Sequence, residues 1–393
     1  MSEATLYYNM RKLDDAFETF KAQAWFVVVD GRIVEQGEGE GLPNVPEKVN
    51  MNNGYVIPGL INCHTHITLN PKDPLWLEKQ ASIPYLTKMA LDNLDELLRA
   101  GVTFFRDVGA PHDIDIEMKR MIDQGVFIAP DGIVSGTPIV MTGGHGYQLG
   151  LESDGVAEVI KHTRLLMKKG VGCIKLMATG GVMTNGETPH DIQLSSEEMQ
   201  AAVNEAKHKG IHTAAHAQGL EGVKLAIQAG VHSIEHGVYL DDESIDLFLA
   251  NDTYLCPTLA APYFIVEEGE RHHIPSYMVE KTQAMLDDHR RSLAKAIKAG
   301  VKIVLGTDAG TPFNLFKHTP FELKLLVDCG MSTHEAIKAA TIYGAEMMGI
   351  EKDFGSITIG RYADFLVLEE NPLDNIEVLM KEKQVYKKGK PYK

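Results

Sequence analysis

IPGLINCHTH, at residues 57–66, is an apolar run that ends in two histidines separated by one residue. On a β-strand, alternate side chains point to the same face, so His64 and His66 would project together from the end of a buried strand. Two imidazoles aimed at one point are a typical metal-ligand arrangement. The alternative is that one is a core histidine and the other lies in a loop. The pair alone does not decide between these interpretations.

The bulk properties of the chain exclude several classes of protein. It has 393 residues, with 44% hydrophobic and 23% charged residues, which is ordinary for a globular protein. The net charge of −16 argues against nucleic acid or an anionic membrane as a partner, because both select basic surfaces. The four cysteines are widely spaced and indicate free thiols in a reducing compartment rather than disulfides. With no apolar leader or membrane-length segment, we expect a cytoplasmic protein.

The two ends of the chain share a β-rich character. Strand-like runs flank Asp30-Gly31, a strong hairpin signal. Similar short runs recur at 356–360, 363–368 and 384–390. We therefore predict a small β-sandwich module formed by both termini, residues 1–57 plus 352–393. Within it, the spacing of Leu13, Phe17 and Phe20 predicts a helix in the first 24 residues.

Between the termini, apolar strands alternate with helical segments, which favours βα units and a parallel sheet. Eight strands can be counted, with an irregular insertion at 259–278. At five helix-to-strand junctions a glycine precedes a β-branched residue: Gly101, Gly170, Gly210, Gly230 and Gly300. This regular repeat predicts an α/β fold in which residues 58–351 form a (β/α)8 TIM barrel. An open parallel sheet is the alternative.

Active sites of such barrels lie at the carboxyl ends of the strands. Reading these ends adds Lys175, His216, His236 and Asp308 to the first pair of histidines. Four imidazoles, a carboxylate and a lysine in a ring suit a two-metal hydrolytic centre.

Lys175 is the unusual member of this set. A positive ammonium beside two divalent cations is strongly disfavoured, so its pKa must be far depressed or its charge removed. Reaction with CO2 removes the charge and creates a carbamate that can bridge two metals. A salt-bridge lysine is the alternative interpretation.

With these residues in place, the chain resembles the amidohydrolase superfamily of metal-dependent hydrolases. Within it the chain is similar to the prolidase-like group of Xaa-Pro dipeptidases and carboxypeptidases, relatives of imidazolonepropionase. The resemblance covers nearly the whole length. It is carried by the strand-end set and by residues 56–66, 142–146, 174–182, 236–239 and 306–308.

The resemblance implies a role for each strand-end residue. His64, His66 and Asp308 would hold the more buried metal, and His216 and His236 the more exposed one. A carbamylated Lys175 would bridge both metals. The cofactors expected are two divalent ions, with zinc suited to these ligands and manganese, cobalt or iron as alternatives. Asp308 would also accept the proton of the nucleophilic water and pass it to the leaving amine.

His145 and Tyr239 are further candidates for catalysis, since both fall in segments expected above the strand ends. Either side chain would suit a hydrogen bond to the developing oxyanion or to a substrate carboxylate. A packed aromatic and a loop-capping histidine are the structural alternatives.

Other residues give weaker signals. His190 and His318, which follow strands, are candidates for substrate contact, and His272 and His273 are candidates to line the entrance. Arg106 and Arg271 are candidates to bind a carboxylate, Asp107 to have a supporting or structural role, and His212 and His232 to be structural.

These observations predict a binuclear metal-dependent hydrolase that cleaves the amide bond of a dipeptide or N-acyl amino acid. A hydrolase of a cyclic amide, imidazolone or arylamide is the second interpretation. A non-catalytic scaffold on a hydrolase barrel is the third, but such a chain should have lost ligands. We expect a small molecule or dipeptide as substrate, and a homo-oligomer by analogy with acidic barrels of this kind.

Overall fold

A computed structural model describes residues 4–76, 79, 81–269 and 271–392. The outermost residues of the predicted terminal module, 1–3 and 393, lie outside this range. Strands dominate both ends of the chain, and strands alternate with helices between them. Among the described residues, none of the helices combines the length and apolar character needed to cross a membrane.

The strands and helices follow in chain order. The strands are β1 (Thr5–Leu13), β2 (Phe20–Val29), β3 (Arg32–Glu38), β4 (Glu47–Asn50), β5 (Tyr55–Pro58), β6 (Leu60–Thr65), β7 (Val102–Asp107), β8 (Asp131–Val134), β9 (Ile139–Val140), β10 (Leu151–Glu152), β11 (Cys173–Met177), β12 (His212–Ala217), β13 (Ser233–His236), β14 (Tyr254–Cys256), β15 (Phe365–Leu368), β16 (Gln384–Lys387) and β17 (Lys390–Tyr392). The α-helices are α1 (Ile83–Arg99), α2 (Ile114–Asp123), α3 (Val156–Lys169), α4 (Ser196–Lys207), α5 (Leu220–Gln228), α6 (Asp242–Asn251), α7 (Ala260–Gly269), α8 (Ser276–Ala299), α9 (Thr319–Asp328), α10 (Thr333–Ala339) and α11 (Ile342–Met347).

The two termini meet in one mixed sheet, which confirms the β character predicted for both ends, while the sandwich arrangement stays a prediction. Its strand order is β17-β16-β15-β5-β1-β2-β3, with β4 paired to β1. The antiparallel pairing of β5 with β15 joins the two ends of the chain, with Ile57 opposite Leu366. One face of the sheet buries a cluster of aromatic rings that includes Phe26, Phe365 and Tyr386. The division of the chain into two domains stays a prediction.

The helix predicted in the first 24 residues is wrong, because β1 and β2 occupy this region as an antiparallel pair. A tight turn between these strands produces the helix-like spacing of Leu13, Phe17 and Phe20. Phe17 has a positive φ of 63°, and its N–H donates to Asp14 O at 3.0 Å. Leu13 ends one strand and Phe20 begins the next, so three apolar side chains recur every three or four residues without a helix.

The central strands pair in parallel, as the alternation with helices predicted. They form a three-stranded sheet, β6-β7-β8, and a six-stranded sheet, β10-β9-β11-β12-β13-β14. The predicted eighth strand, near 301–308, is not a regular strand but bonds to both sheets. Leu255 N donates to Lys302 O at 2.8 Å, and Cys63 N donates to Leu305 O at 2.8 Å. Between the sheets, Gly172 N donates to Val134 O at 3.1 Å.

Helix ends agree with the glycine pattern. Gly170 and Gly300 end α3 and α8 in the left-handed conformation, with φ of 89° and 84°.

The irregular insertion predicted at 259–278 is wrong, because α7 and the start of α8 occupy most of it. Pro262 lies inside the first turn of α7, where it is tolerated. Proline and glycine in this segment therefore marked helix ends rather than a loop.

Stability should fall in mild acid, and His232 should contribute to this. Burial lowers the pKa of His232 to about 4, and its ring stacks on His212 with centroids 4.2 Å apart. Below its ordinary pKa of about 6.5 the unfolded chain binds a proton that the folded chain excludes. The free energy of unfolding therefore falls as the pH drops from about 6.5 to 4, by up to about 3 kcal/mol for this residue. In His232→Gln, the thermal midpoint should depend less steeply on pH across this window. Exposed His208→Gln is the control, and equal slopes in all three proteins would contradict the expectation.

Candidate metal centre

Three of the predicted ligands converge at the end of β6. His64 lies in this strand, His66 directly follows it, and Asp308 comes at the end of the segment that bonds beside it. Asp308 Oδ1 lies 3.3 Å from His64 Nε2 and 3.3 Å from His66 Nε2. One ligand atom from each residue falls within 4.8 Å of the others, a spacing suited to one metal ion.

Two further histidines lie beside this group. His216 is near the end of β12 and His236 ends β13, where the parallel register places Ala217 opposite His236. The His216 and His236 ring centroids are 4.6 Å apart, and those of His64 and His236 are 5.2 Å apart. Burial lowers the pKa of both His216 and His236 well below the ordinary value. Their imidazoles are therefore held neutral, which is the form that binds a metal.

Lys175 lies in the middle of β11 and is almost completely buried, with 1% of its surface exposed. Burial lowers the pKa of its amine, while the negative charges of Glu235 and Asp308 act in the opposite direction. No carboxylate oxygen of a described residue lies within ion-pair distance of its Nζ atom. The salt-bridge interpretation of Lys175 therefore has no partner among the described residues.

Each of these four histidines has one ring nitrogen bound by the protein. His64 Nδ1 lies 2.7 Å from Glu235 Oε2, and His66 Nδ1 lies 3.0 Å from Gly109 O. Because carboxylate and carbonyl oxygens accept hydrogen bonds, Nδ1–H is the donor in both rings. The Nε2 atoms that face Asp308 are consequently the nitrogens left for a metal.

The other two rings are fixed in the same way. His236 Nδ1 lies 2.6 Å from Thr258 Oγ1, and His216 Nε2 donates to Gly180 O at 3.1 Å. His216 therefore presents Nδ1, whereas the hydroxyl contact leaves Nε2 of His236 for the site. This donor set of imidazoles and one carboxylate fits a divalent metal such as zinc.

The backbone at the ends of these strands is strained. His236 has a φ of 74° and Asp308 a φ of 57°, in the left-handed region that residues with a side chain rarely adopt. Such conformations cost about 1 kcal/mol or more each and concentrate at functional sites. Close packing adds a second constraint, because a Cβ on Gly306 would lie 2.8 Å from His64 Cβ and 2.2 Å from Cys256 Sγ.

His145 lies against the metal residues, whereas Tyr239 stands further out. The His145 ring stacks on His216 with centroids 4.2 Å apart. The Tyr239 ring lies against His190 with centroids 4.6 Å apart and a tilt of 37°, and packs against an apolar cluster that includes Val238. The structure thus places His145 beside the predicted metal ligand His216, and Tyr239 against His190 and the apolar cluster.

The sequence profile of the amidohydrolase family matches residues 55–391, most of the chain. The chain belongs to the amidohydrolase family. It is therefore a hydrolase that acts on amide bonds, and amidohydrolases generally use divalent metal ions. The convergent histidines and Asp308 provide a candidate site for such an ion.

Relatives of this amidohydrolase bear names that refer to different substrates. Ochratoxinase from Aspergillus niger is 32% identical over 375 residues, which cover 86% of this chain and 75% of that protein. Imidazolonepropionase from Streptomyces coelicolor is 24% identical over 375 residues, 87% of this chain and 85% of the relative. The crystal structure of a Xaa-Pro dipeptidase with methionine in its active site has a TM-score of 0.89 at 29% identity, covering 99% of this chain and 100% of the other. The predicted resemblance to the prolidase-like group is confirmed.

Arg106 is not at the mouth of the site, where the sequence made it a candidate to bind a substrate carboxylate. Its side chain is 2% exposed and lies among the strands, where Nη2 donates to Glu235 Oε1 at 2.8 Å. Its other bonds go to Cys63 O at 2.6 Å and Ser233 Oγ at 2.9 Å. Arg106 therefore balances the charge of Glu235, which binds His64, and is not available to a substrate carboxylate. The sequence did not predict a role for Glu235. Its available signal was a carboxylate in a buried strand, one residue before the predicted ligand His236.

The remaining sequence candidates lie at the edges of the site. The Asp107 carboxylate accepts from Ile67 N at 2.6 Å, as expected of a supporting residue. His318 is half-buried against Phe264, and burial lowers its pKa to about 4. Arg271 pairs with Glu268 at 3.1 Å on the surface, as does His272, whose neighbour His273 is exposed.

An apolar pocket adjoins His236 and Asp308 in this amidohydrolase. Its cavity volume is only about 20 Å³, and it opens to solvent. Among the described residues that line it there is no Arg or Lys. The lining consists of Val182, Met183, Gln218, His236, Val238, Thr258, Ala261, Pro262, Ile265, Met285, His289, Asp308 and Thr311. Helices α7 and α8 supply five of these residues, so the segment predicted to be irregular forms one wall of the pocket.

Replacing Glu235 by Gln should destabilise the protein and weaken metal binding. The change leaves the buried Arg106 guanidinium without a counter-charge and removes the carboxylate that orients His64. We expect a loss of about 3–5 kcal/mol in the free energy of unfolding and a drop in metal content after gel filtration. Denaturant titration and elemental analysis measure the two effects. Glu382→Gln, at an exposed site, is the control. Unchanged stability and metal content in Glu235→Gln would overturn this expectation.

Proposed function

We propose that this amidohydrolase is a binuclear metal enzyme that cleaves the amide bond of an N-acyl amino acid or dipeptide, Xaa-Pro dipeptides included. The observation that carries the proposal is the convergence of four histidines, each with one ring nitrogen bound by the protein and the other left for a metal. Such fixed imidazoles are expected of a preorganised metal centre rather than of a packed core.

The proposal includes a closed (β/α)8 barrel as the frame of this centre. Backbone bonds from Leu255 to Lys302 and from Cys63 to Leu305 join the two parallel sheets on one side. The bond from Gly172 to Val134 joins them on the other side. A ring of strands closed in this manner brings the carboxyl ends of β6, β11, β12 and β13 to one face. We propose residues 58–351 as this domain, and 1–57 plus 352–393 as the second.

The ligands divide into two groups in this proposal. His64, His66 and Asp308 would hold one metal, His216 and His236 would hold the other, and a carbamate on Lys175 would supply a carboxylate ligand to both. The buried amine supports this role, because burial favours the neutral form that reacts with CO2. When bound, the two metals supply Lewis acidity and lower the pKa of a coordinated water. Zinc suits imidazole and carboxylate ligands, and manganese, cobalt and iron are the alternatives.

Asp308 and His145 would act on the substrate directly. The Asp308 carboxylate is kept ionised, since the effects of His64 and His66 outweigh burial and lower its pKa well below the ordinary value. A carboxylate at this position can accept the proton of the attacking water and deliver it to the leaving amine. His145 beside His216, when both of its ring nitrogens carry a proton, can donate a hydrogen bond from Nε2 to the carbonyl oxygen as charge develops there. Tyr239 would contact the part of the substrate that extends outward.

The apolar pocket favours a second candidate, the hydrolysis of a cyclic amide, imidazolone or arylamide. The pocket offers Val, Met, Ile and Pro side chains beside His236. Lys281 is a basic residue nearby, but its Nζ atom is bound to Thr184 O at 2.7 Å and Gly181 O at 3.4 Å. An apolar acyl or amine part of the substrate suits the pocket in both candidates, and only the first candidate also needs a protein group that binds the substrate carboxylate.

The bridging role of Lys175 can be tested with Lys175→Ala. Without the bridging carboxylate, kcat/KM on an amide substrate should fall about 100-fold or more, together with metal content. Added acetate or propionate should restore part of the activity by occupying the vacated space. Initial rates and elemental analysis provide the measurements, and exposed Lys161→Ala is the control. Full activity of Lys175→Ala without an added carboxylate would exclude the bridge.

The two substrate classes can be separated with a matched panel. Dipeptides and N-acyl amino acids should be cleaved with higher kcat/KM when the acyl part is apolar, and cyclic amides should be poor substrates. Met285→Gln puts an amide into the pocket and should lower kcat/KM for the apolar members about tenfold. Met380→Gln, on the surface, should have no effect. Preferential cleavage of cyclic amides or uncharged arylamides would select the second candidate.

A further inference from the structure

His145 is fixed by a second carboxylate that the metal centre does not use. Glu187 lies in the segment between β11 and α4, and its Oε1 atom is hydrogen-bonded to His145 Nδ1. Both side chains are buried, with 8% of each residue exposed. Glu187 is 42 residues from His145 in the sequence, so the contact joins two separate loops above the strands.

The Glu187 carboxylate is itself held on both oxygens. Gly181 N donates to Oε1 at 3.0 Å, and Gln193 Nε2 donates to Oε2 at 2.8 Å. The same Gln193 accepts from His145 N through Oε1 at 2.8 Å. His145, Glu187 and Gln193 therefore form a closed cycle of hydrogen bonds that fixes both the backbone and the ring of His145.

Packing fixes the plane of the ring as well. His216 stacks on His145 with an interplanar angle of 23°. Gly181 approaches so closely that a Cβ there would lie 2.4 Å from His145 Cε1 and 2.9 Å from Nε2. A side chain at position 181 would displace the ring, so glycine is required by this contact.

The charge of Glu187 determines that Nδ1 of His145, the nitrogen facing the carboxylate, carries a proton. Burial raises the pKa of Glu187, but the bonds from His145, Gln193 and Gly181 outweigh it and lower the pKa overall. An ionised carboxylate only accepts hydrogen bonds, so the proton between the two side chains belongs to Nδ1 of His145. No described residue is hydrogen-bonded to the other nitrogen, Nε2.

We propose that Glu187 is a positioning residue that acts through His145, fixing the ring so that Nε2 is the atom presented to the substrate. The inference rests on the proposed function for the identity of the reaction. It adds a carboxylate–imidazole pair on the loops, distinct from the metal ligands on the strands. Glu187 does not itself contact the substrate in this proposal.

The test combines kinetics with a spectroscopic readout of the ring. In Glu187→Gln we expect kcat on an amide substrate to fall about 10–100-fold, with KM changed less than about threefold and metal content unchanged. If Glu187 acts only through His145, adding Glu187→Gln to His145→Asn should lower kcat less than about twofold further. Independent losses in the double variant would overturn the proposal.

Nitrogen-15 NMR of histidine-labelled protein reports the protonated ring nitrogen without requiring turnover. The His145 signals, assigned by their absence in His145→Asn, should indicate Nδ1–H in the wild type and a changed pattern in Glu187→Gln. An unchanged pattern would refute the positioning role. If no amide substrate is turned over by the wild type, the proposed function fails, whereas the NMR result still decides on Glu187.

Two further variants serve as a matched control and as a substitute for Glu187→Gln. Glu152→Gln is the matched control, because Glu152 Oε1 accepts from Gly143 N at 2.8 Å in the same loop without touching His145. It should leave kcat and the His145 signals unchanged. Should Glu187→Gln fail to fold, Gly181→Ala tests the same contact by pressing a methyl group on the ring. Gly181→Ala should then lower kcat and shift the His145 signals, and wild-type values in this variant would reject the proposal.

Discussion

The contact between Glu235 and His64 connects the candidate metal centre to the interior of the protein. Glu235 is fully buried and is shared by His64, Arg106 and Ser233 at 2.6–2.8 Å. A buried carboxylate is tolerated only when it is paired and hydrogen-bonded, so Arg106 must occupy the space beneath the site. The same arrangement fixes the ring of His64 before a metal binds. The centre is therefore preorganised by charges buried between the strands, at positions that a substrate does not reach.

Strands and loops have different roles in this amidohydrolase. The strands hold the histidines through short contacts with residues on neighbouring strands or directly after them, such as Thr258 for His236. The loops and helices above them provide the pocket wall and the Glu187–His145 pair. His64 is oriented from below by Glu235, and the other three rings bond to residues within three positions of a strand end, so changes further along the loops can alter the pocket while the ligands keep their places. Names as different as ochratoxinase and Xaa-Pro dipeptidase among its relatives agree with such a division.

Sequence reasoning predicted the parts of the structure that follow from periodicity. Alternation of strands and helices predicted parallel pairing, and the parallel register brings His64, His66, His216, His236 and Asp308 to one end of the strands. It could not predict pairs such as His64 with Glu235, which are 171 residues apart, because side-chain direction at a strand end depends on the neighbouring strands. Arg106 was misplaced for this reason. In the terminal sheet, a turn at Phe17 imitated helical spacing, which short patterns cannot distinguish from a helix.

The loops limit what a sequence can indicate about the substrate. A glycine-rich segment such as 180–193 has no periodicity, yet Glu187, Gln193 and Gly181 all meet His145 there. Each contact depends on backbone conformations that bring separate loops together, and no spacing rule encodes them. The glycines nevertheless carried a physical signal, since a loop that must lie flat against an imidazole ring has no room for a Cβ. Glycine next to a buried carboxylate, in a loop that follows a ligand strand, is thus the feature by which such a pair can be sought in other sequences.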